Sequence, residues 1–222
     1  KMRLKAIFYA FLICILSFAS LSCKALSFMP IITNYNSFAY HFGIQNWSCT
    51  QDERGTMYFG NNNGMLVFDG YEWNKFTLPN KGIIRSLLAD GNRIYVGSYT
   101  DFGYFARNSK GEMTYHSLWP SQYKSHNDEI WNIIKVNGHI YFQSFCSYFD
   151  FDGKRVTPYY NSKQLPFWLY QVKGEVYAQL INGGICRLHQ GKYQTIIPAK
   201  TFHSDNVMGI YSLAQGKTLL IT

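Results

Sequence analysis

Short apolar runs alternate with polar residues along this chain, and the pattern recurs about every forty residues. In each unit a short apolar run leads, through a turn that ends in glycine, into a second apolar run. The turn glycines stand 36, 47, 36 and 42 residues apart, at Gly55, Gly91, Gly138, Gly174 and Gly216. A recurring period of this size predicts a repeat architecture.

The alternation within each unit has the period of β-strands, and no long stretch has helical spacing. Asp90-Gly91 and Asn137-Gly138 each predict a two-residue hairpin turn, because both central positions of such a turn need positive φ. In the first unit the pattern continues through two further turns, at 61–64 and 69–71. Each unit is therefore predicted to contain four strands.

The units predict an all-β fold, a β-propeller of four-stranded antiparallel blades. One four-stranded sheet cannot bury both of its faces, so successive sheets are expected to stack radially around a common axis. We expect about four and a half blades of a seven-bladed propeller, over residues 44–80, 82–120, 128–162, 166–200 and 206–222. The alternative is a complete four-bladed propeller with a frayed tail.

The first apolar run of each unit is expected to form the innermost strand of its blade. This prediction rests on the register of the glycine turns, which places the same part of every unit in the same position. The runs expected to line the common axis are Trp47, 84–87, 130–133, 168–171 and 210–213.

Residues 1–25 have the layout of a secretory signal peptide, which is basic, then apolar, then small and polar. The apolar run covers 6–19 and is shorter than the roughly 20 residues that a membrane helix needs. An uncleaved membrane anchor is therefore the less favoured alternative. The incomplete N-terminal propeller is expected over 26–222, exported to the periplasm.

The charge of the chain is concentrated in its amino end. The chain has 21 Lys and Arg against 13 Asp and Glu, a net charge of +8. Residues 1–25 hold four of the basic side chains and no acidic one, which leaves 17 against 13, or +4. The longest basic run in the remainder is the pair Lys154-Arg155, so no nucleic-acid groove is indicated for this segment.

Candidate catalytic and metal-binding patterns are sparse, and no cofactor or metal site is expected. The stretch His126-Asn127-Asp128-Glu129 is polar enough for a cation site, but it opens a strand after a long connection, and we interpret it as loop chemistry. Cys49, Cys146 and Cys186 lie on three different units without zinc-site spacing, and we interpret them as buried thiols, with one disulfide pair in an oxidising periplasm as the alternative. The segment is therefore not expected to be an enzyme.

Two stretches, 34–105 and 140–156, closely resemble the first three blades of a family of Bacteroidetes sensor-regulators. These are the triple-tyrosine-motif regulators with two-component-regulator propeller repeats, relatives of the hybrid two-component sensors. The most specific matching elements are Gln45-Asn46-Trp47, Gln51-Asp52-Glu53-Arg54-Gly55, Met57-Tyr58-Phe59 and Phe68-Asp69-Gly70.

The resemblance implies a periplasmic sensor in a longer, inner-membrane protein. Members of this family combine the propeller with a downstream triple-tyrosine β-sandwich, one membrane helix and a cytoplasmic output, either a LuxR-type helix-turn-helix or a histidine kinase. It also implies an extracytoplasmic ligand, for which glycans are natural candidates, and a homodimeric full-length protein. Histidine kinase activity would reside in the output and not in this segment.

A ligand site is expected where the innermost strands begin, because loops from several blades converge at that end of the channel. The polar and aromatic residues placed there are Gln45, Asn46, Trp47, Arg85, Trp131, Asn132 and Trp168. The alternative is that the tryptophans fill the spaces between blades and the polar groups bond turn backbones. Two other functions stay open, a secreted propeller lyase or glycosidase, which convergent carboxylates or a His-Tyr pair at the mouth would favour, and a propeller scaffold.

Overall fold

The computed structural model describes residues 32–181, 183–202 and 206–222. The predicted signal peptide, 1–25, lies outside these residues. The chain divides into two units, Lys1–Asn34 and Tyr35–Thr222, and every strand of the described residues belongs to the second. Within the described ranges, no helix has the length and apolar character needed to cross a membrane.

Four antiparallel sheets of four strands follow one another along the chain, after a one-turn helix α1 (Ser37–Tyr40). The first two sheets comprise β1 (Asn46–Gln51), β2 (Met57–Asn61), β3 (Gly64–Phe68) and β4 (Trp73–Phe76), then β5 (Ser86–Asp90), β6 (Arg93–Gly97), β7 (Phe102–Arg107) and β8 (Met113–Ser117). The third comprises β9 (Asn132–Val136), β10 (His139–Gln143), β11 (Ser147–Phe151) and β12 (Val156–Tyr160). The fourth comprises β13 (Pro166–Val172), β14 (Glu175–Leu180), β15 (Ile185–His189) and β16 (Lys192–Ile197).

A fifth sheet contains two strands, β17 (Gly209–Ser212) and β18 (Thr218–Ile221). Short 3₁₀ turns at Ala199–Phe202 and Ala214–Gly216 flank and join them. All five sheets are simple meanders, in which each strand pairs with the next one in the chain. This is the blade topology that the repeat predicts, and the all-β propeller class is confirmed.

The first strand of every sheet faces the common axis. Strands β1, β5, β9, β13 and β17 each occupy one edge of their sheet, and each packs beside the first strand of the next sheet. The prediction that these runs are innermost is therefore confirmed. Since they all run in the same direction along the axis, their starting ends lie together at one end of the channel.

The hydrophobic core lies between successive sheets. Alternate residues of a strand point to opposite faces of its sheet, so the second, third and fourth sheets each contribute to two layers. Between the second and third sheets, Phe102 stacks on Phe142 with ring centroids 4.3 Å apart, and both side chains are fully buried. Burying one such side chain contributes about 1.5–3 kcal/mol. The layers follow the order of the sheets, with Met65 and Val96 in the first and Tyr170 and Ile210 in the last.

The two predicted hairpin turns differ in detail. Asn137 and Gly138 are the central residues of their turn and both have positive φ, at 50° and 83°, as predicted. In the other hairpin Asp90 pairs with Arg93, so the central residues are Gly91 and Asn92, and of the two only Gly91 has positive φ. The prediction for Asp90 is wrong because glycine alone supplies the positive φ and Asp90 extends the strand.

The three cysteines in the sheets and loops are free thiols. Cys186 is buried, as expected, but Cys146 is half-buried and Cys49 is exposed. Cys49 lies on β1, and its side chain lies outside the core layer that β1 shares with the second sheet. The expectation of three buried thiols is therefore wrong for Cys49.

Candidate functional site

Side chains from several sheets meet where the innermost strands begin. We call this end of the channel the mouth and define it by Trp47, Arg85, Glu129, Trp131, Phe145 and Phe167. Trp47 is at the start of β1, Arg85 directly precedes β5, and Glu129 and Trp131 directly precede β9. Phe145 lies in the loop between β10 and β11. The end of β10 lies beside the start of β9, so this loop is at the same end of the channel.

Arg85 is the centre of the mouth. Its guanidinium carbon lies 3.8 Å from the centroid of the Trp47 ring and 4.8 Å from that of Trp131. The two indoles meet edge to face at 5.7 Å and 84°. A cation over aromatic faces is stabilised by the ring quadrupoles, most strongly when it is shielded from water.

Arg85 also forms an ion pair with Glu129, with 2.6 Å between Nε and Oε1. The side chains are 14% and 27% exposed, so this pair is screened less than a surface pair. The buried Nη1 of Arg85 has no hydrogen-bond partner. The indole N–H of Trp47 donates to the side-chain carbonyl of Asn62 at 2.7 Å, which fixes the ring from the turn between β2 and β3.

A row of aromatic rings continues from Arg85 across the third and fourth sheets. Trp131 lies 6.0 Å from Phe145, and Phe145 lies 5.8 Å from Phe167, with each pair within about 35° of parallel. All three rings are half-buried. Aromatic faces that remain partly accessible can stack on an apolar or hydroxylated ligand, while Gln45 and Asn46 supply exposed polar groups beside them.

β-Bulges determine which residues reach this row. The register of β1 shifts at Trp47, between Asn46 and Ser48, and that of β13 shifts at Phe167, between Pro166 and Trp168. A bulge inserts one residue and redirects the side chains around it. Phe167 therefore takes the position at the mouth, and Trp168 packs in the layer between the fourth and fifth sheets.

Two of the remaining predicted residues, Asn132 and Asn46, bond to the protein itself. The Asn132 side chain donates to the backbone carbonyl of Leu169 at 2.8 Å and so ties the third sheet to the fourth. The Asn46 side chain accepts from Asn61 at 2.7 Å. Of the seven predicted residues, the structure brings Trp47, Arg85 and Trp131 into contact.

Sequence reasoning missed Glu129, Phe145 and Phe167. Glu129 was part of a polar stretch interpreted as loop chemistry, and its partner Arg85 is 44 residues away in the chain. Phe145 and Phe167 have no local signal that separates them from the many other aromatic residues. Counting residues from the preceding glycine turn places Phe145 in the loop after the second strand of its unit. No such count predicts the bulge that brings Phe167 to the mouth.

A His-Tyr pair exists behind the loop of Phe145, outside the residues that define the mouth. The hydroxyl of Tyr123 lies 3.1 Å from Nδ1 of His126, and the His126 ring stacks on Tyr160 of the outermost strand β12 at 3.6 Å. Burial raises the pKa of Tyr123 to about 12, and the charge of Asp128 adds to the shift. This arrangement supplies no carboxylate pair or free base at the channel.

A second concave feature lies between the third and fourth sheets at the opposite end. It is a cleft of about 440 Å³. Its polar lining includes two paired groups, His139 with Asp150 at 2.6 Å and Arg187 with Glu175 at 3.2 Å.

No protein-family model and no curated protein matches the sequence. Solved structures with similar folds include an extracellular domain described as that of the hybrid two-component system BT4673 of B. thetaiotaomicron, with a TM-score of 0.56 and 16% identity over 73% of this chain and 22% of that one. PorZ, a surface component of the type-IX secretion system of Porphyromonas gingivalis, has a TM-score of 0.60 and 13% identity over 87% of this chain and 33% of that one.

The WD40 domain of Neurospora crassa Pan2 is similar as well, with a TM-score of 0.54 and 12% identity over 82% of this chain and 61% of that one. The chain thus spans about a fifth to a third of the length of the two bacterial proteins. At these identities the similarity establishes the fold.

Proposed function

We propose that this chain is an extracytoplasmic sensor propeller, part of a membrane-spanning transcriptional regulator or two-component signalling protein. The similarity to the extracellular domain of BT4673 supports this proposal, as does the resemblance of 34–105 to the propeller repeats of Bacteroidetes regulators. In this proposal the propeller binds an extracytoplasmic ligand and signals, through a downstream β-sandwich and a membrane helix, to a cytoplasmic DNA-binding or kinase output.

The observation that carries the proposal is the convergence of four sheets at the mouth. Trp47, Arg85, Trp131 and Phe167 come from the first, second, third and fourth sheets in order. A ligand that contacts this row touches several sheets at once, so its binding energy depends on how the sheets are placed relative to one another. A ligand can shift a conformational equilibrium only through such a difference in affinity between two states.

The ligand class proposed is a glycan. Half-buried aromatic rings beside neutral amides offer stacking faces together with hydrogen-bonding groups. The faces of Trp47 and Trp131 that contact Arg85 are already occupied, so Phe145 is the ring best placed to meet a ligand. Its loop position between β10 and β11 leaves it free of any core layer.

The test is inducer-dependent reporter output of the full-length protein in cells supplied with a panel of plant and host oligosaccharides. Phe145→Ala is expected to raise the half-maximal concentration of an inducing oligosaccharide about five- to thirtyfold, the effect of losing one aromatic contact of 1–2 kcal/mol. Tyr71→Ala is the matched control, because Tyr71 is 88% exposed in a turn of the first sheet.

Protein abundance is measured for both variants by immunoblotting. An unchanged response of Phe145→Ala, or a loss that lower abundance explains in full, would remove the mouth as the sensing site. A panel in which no oligosaccharide changes the output would overturn the choice of glycans.

A further inference from the structure

Asp128 is a buried carboxylate that anchors a hydrogen-bond network behind the mouth. Its side chain has no solvent exposure. Oδ1 accepts a hydrogen bond from the Ser144 hydroxyl at 2.6 Å. Oδ2 accepts from the backbone N–H of His126 at 2.9 Å and from the hydroxyls of Tyr123 and Ser125 at 3.2 and 3.3 Å.

The bond to Ser144 fixes the loop that carries Phe145. The Ser144 hydroxyl oxygen accepts from the backbone N–H groups of Cys146 and Ser147, the two residues that follow Phe145, at 3.0 and 2.9 Å. The Tyr123 hydroxyl, which also contacts Asp128, lies 2.7 Å from the Ser147 hydroxyl. The whole loop between β10 and β11 is thus held from one carboxylate.

The backbone of Asp128 holds the other part of the mouth. Its carbonyl accepts from the N–H of Thr100, in the turn between β6 and β7, at 2.7 Å. Glu129 directly follows Asp128 and forms the ion pair with Arg85. Trp131, two residues after Glu129, also contacts Arg85. Asp128 therefore links the second sheet, the entry to β9 and the Phe145 loop.

Two simpler interpretations of this cluster, a metal site and a catalytic serine–histidine pair, do not fit its geometry. Within the ranges that the structure describes, no group of three His, Cys, Asp or Glu side chains could hold a metal ion. His126 presents Nδ1 to a tyrosine hydroxyl, and Ser144 presents its hydroxyl to the carboxylate, so the serine and histidine needed for nucleophilic catalysis are not in contact. The four groups that donate to the Asp128 carboxylate instead satisfy a buried acceptor.

We infer that Asp128 is a positioning residue for the mouth, which sets Trp131 and Phe145 relative to each other. The inference rests on the proposed function for its biological role, but the geometry that it predicts can be measured without any ligand. If the following experiment contradicts the positioning role, the ligand-binding proposal still stands. If no ligand binds at the mouth, the positioning role of Asp128 still stands.

The experiment compares Asp128→Asn with the parent chain in two measurements. Amide hydrogen exchange over 145–147 is expected to be about five- to thirtyfold faster, because an asparagine N–H₂ placed against the Ser144 hydroxyl or the His126 N–H cannot accept their hydrogen bonds. The far-ultraviolet circular dichroism couplet of the edge-to-face pair Trp47–Trp131 is expected to weaken. Trp47→Phe identifies that couplet by abolishing it.

The matched control is Asp150→Asn, which removes a carboxylate at the opposite end of the same sheet, where it binds His139. It is expected to leave the couplet and the exchange of 145–147 unchanged, although global stability falls. Parental exchange and couplet in folded Asp128→Asn would overturn the inference. If that variant does not fold, Ser144→Ala decides, since unchanged exchange over 145–147 in that variant would equally overturn it.

Discussion

At the scale of single residues, the mouth combines groups that already bind one another. Arg85 lies between two indoles and pairs with Glu129, which gives the guanidinium a role in holding three sheets together. The sequence places Arg85 at the mouth but cannot reveal these partners, because Glu129 is 44 residues away. Arg85 thus supports the mouth from within, whereas the half-buried Phe145 and the exposed Gln45 are the groups that the proposed ligand would meet.

Replacing Arg85 tests this structural role. Arg85→Ala leaves Glu129 without its partner and the two indoles without a cation between them, so we expect a loss of about 2–4 kcal/mol in the free energy of unfolding. Chemical denaturation measures it. Arg54→Ala is the control, since Arg54 is 76% exposed and lies 3.7 Å from Asp52, and its loss should stay within about 0.5 kcal/mol. Equal effects of the two substitutions would contradict the role assigned to Arg85.

The pH dependence of stability tests the hydrogen bonds that the Asp69 carboxylate accepts. Backbone N–H groups of Glu72 and Tyr71 donate to its carboxylate and lower its pKa from the usual 3.8. Because the folded-state pKa lies below the unfolded one, the stabilisation is complete at neutral pH and is lost as pH falls through both values. Stability measured from about pH 6 to pH 2 should therefore fall less steeply in Asp69→Asn than in the parent. Parallel curves would count against this assignment.

At the scale of elements, the sequence specifies the strands and most of the turns. Alternating apolar residues and glycine turns are local signals, and they predict the four-stranded units and the innermost strands. The bulges at Trp47 and Phe167 have no such signal, because a bulge is defined by pairing with another strand. A shift of one residue exchanges the two faces of a strand, and this moved Trp168 from the expected mouth into the core.

Gly97 at the end of β6 tests how closely neighbouring sheets approach. A Cβ at this position would lie 2.5 Å from Cγ2 of Ile130 and 2.4 Å from the Ser86 hydroxyl. Gly97→Ala is expected to destabilise the protein by about 1–3 kcal/mol through overpacking. The comparison is Gly138→Ala, where a Cβ meets no atom within 4 Å and only the positive φ of 83° is unfavourable, at a cost of about 1 kcal/mol. If Gly97→Ala left the free energy of unfolding unchanged, the close packing of Gly97 against Ile130 would be contradicted.

At the scale of the whole molecule, the sheets stabilise one another in sequence, and each buries the face of its neighbour. The two-stranded fifth sheet is less covered, and Tyr211, Leu213, Leu219 and Ile221 are each between 43% and 53% exposed. We expect residues 32–222 expressed alone to self-associate through this surface. Leu219→Lys should shift sedimentation towards the monomer, and an already monomeric parent would contradict this expectation.

In the proposed function, a ligand binds at the mouth of the propeller. The most direct test is hydrogen exchange of the full-length protein with and without an inducing oligosaccharide. We expect protection at 45–47, 85–86, 129–132 and 144–147, where the mouth residues and their supporting loop lie. Protection confined to 136–141, 174–176 and 187–190, which line the cleft at the opposite end, would contradict it.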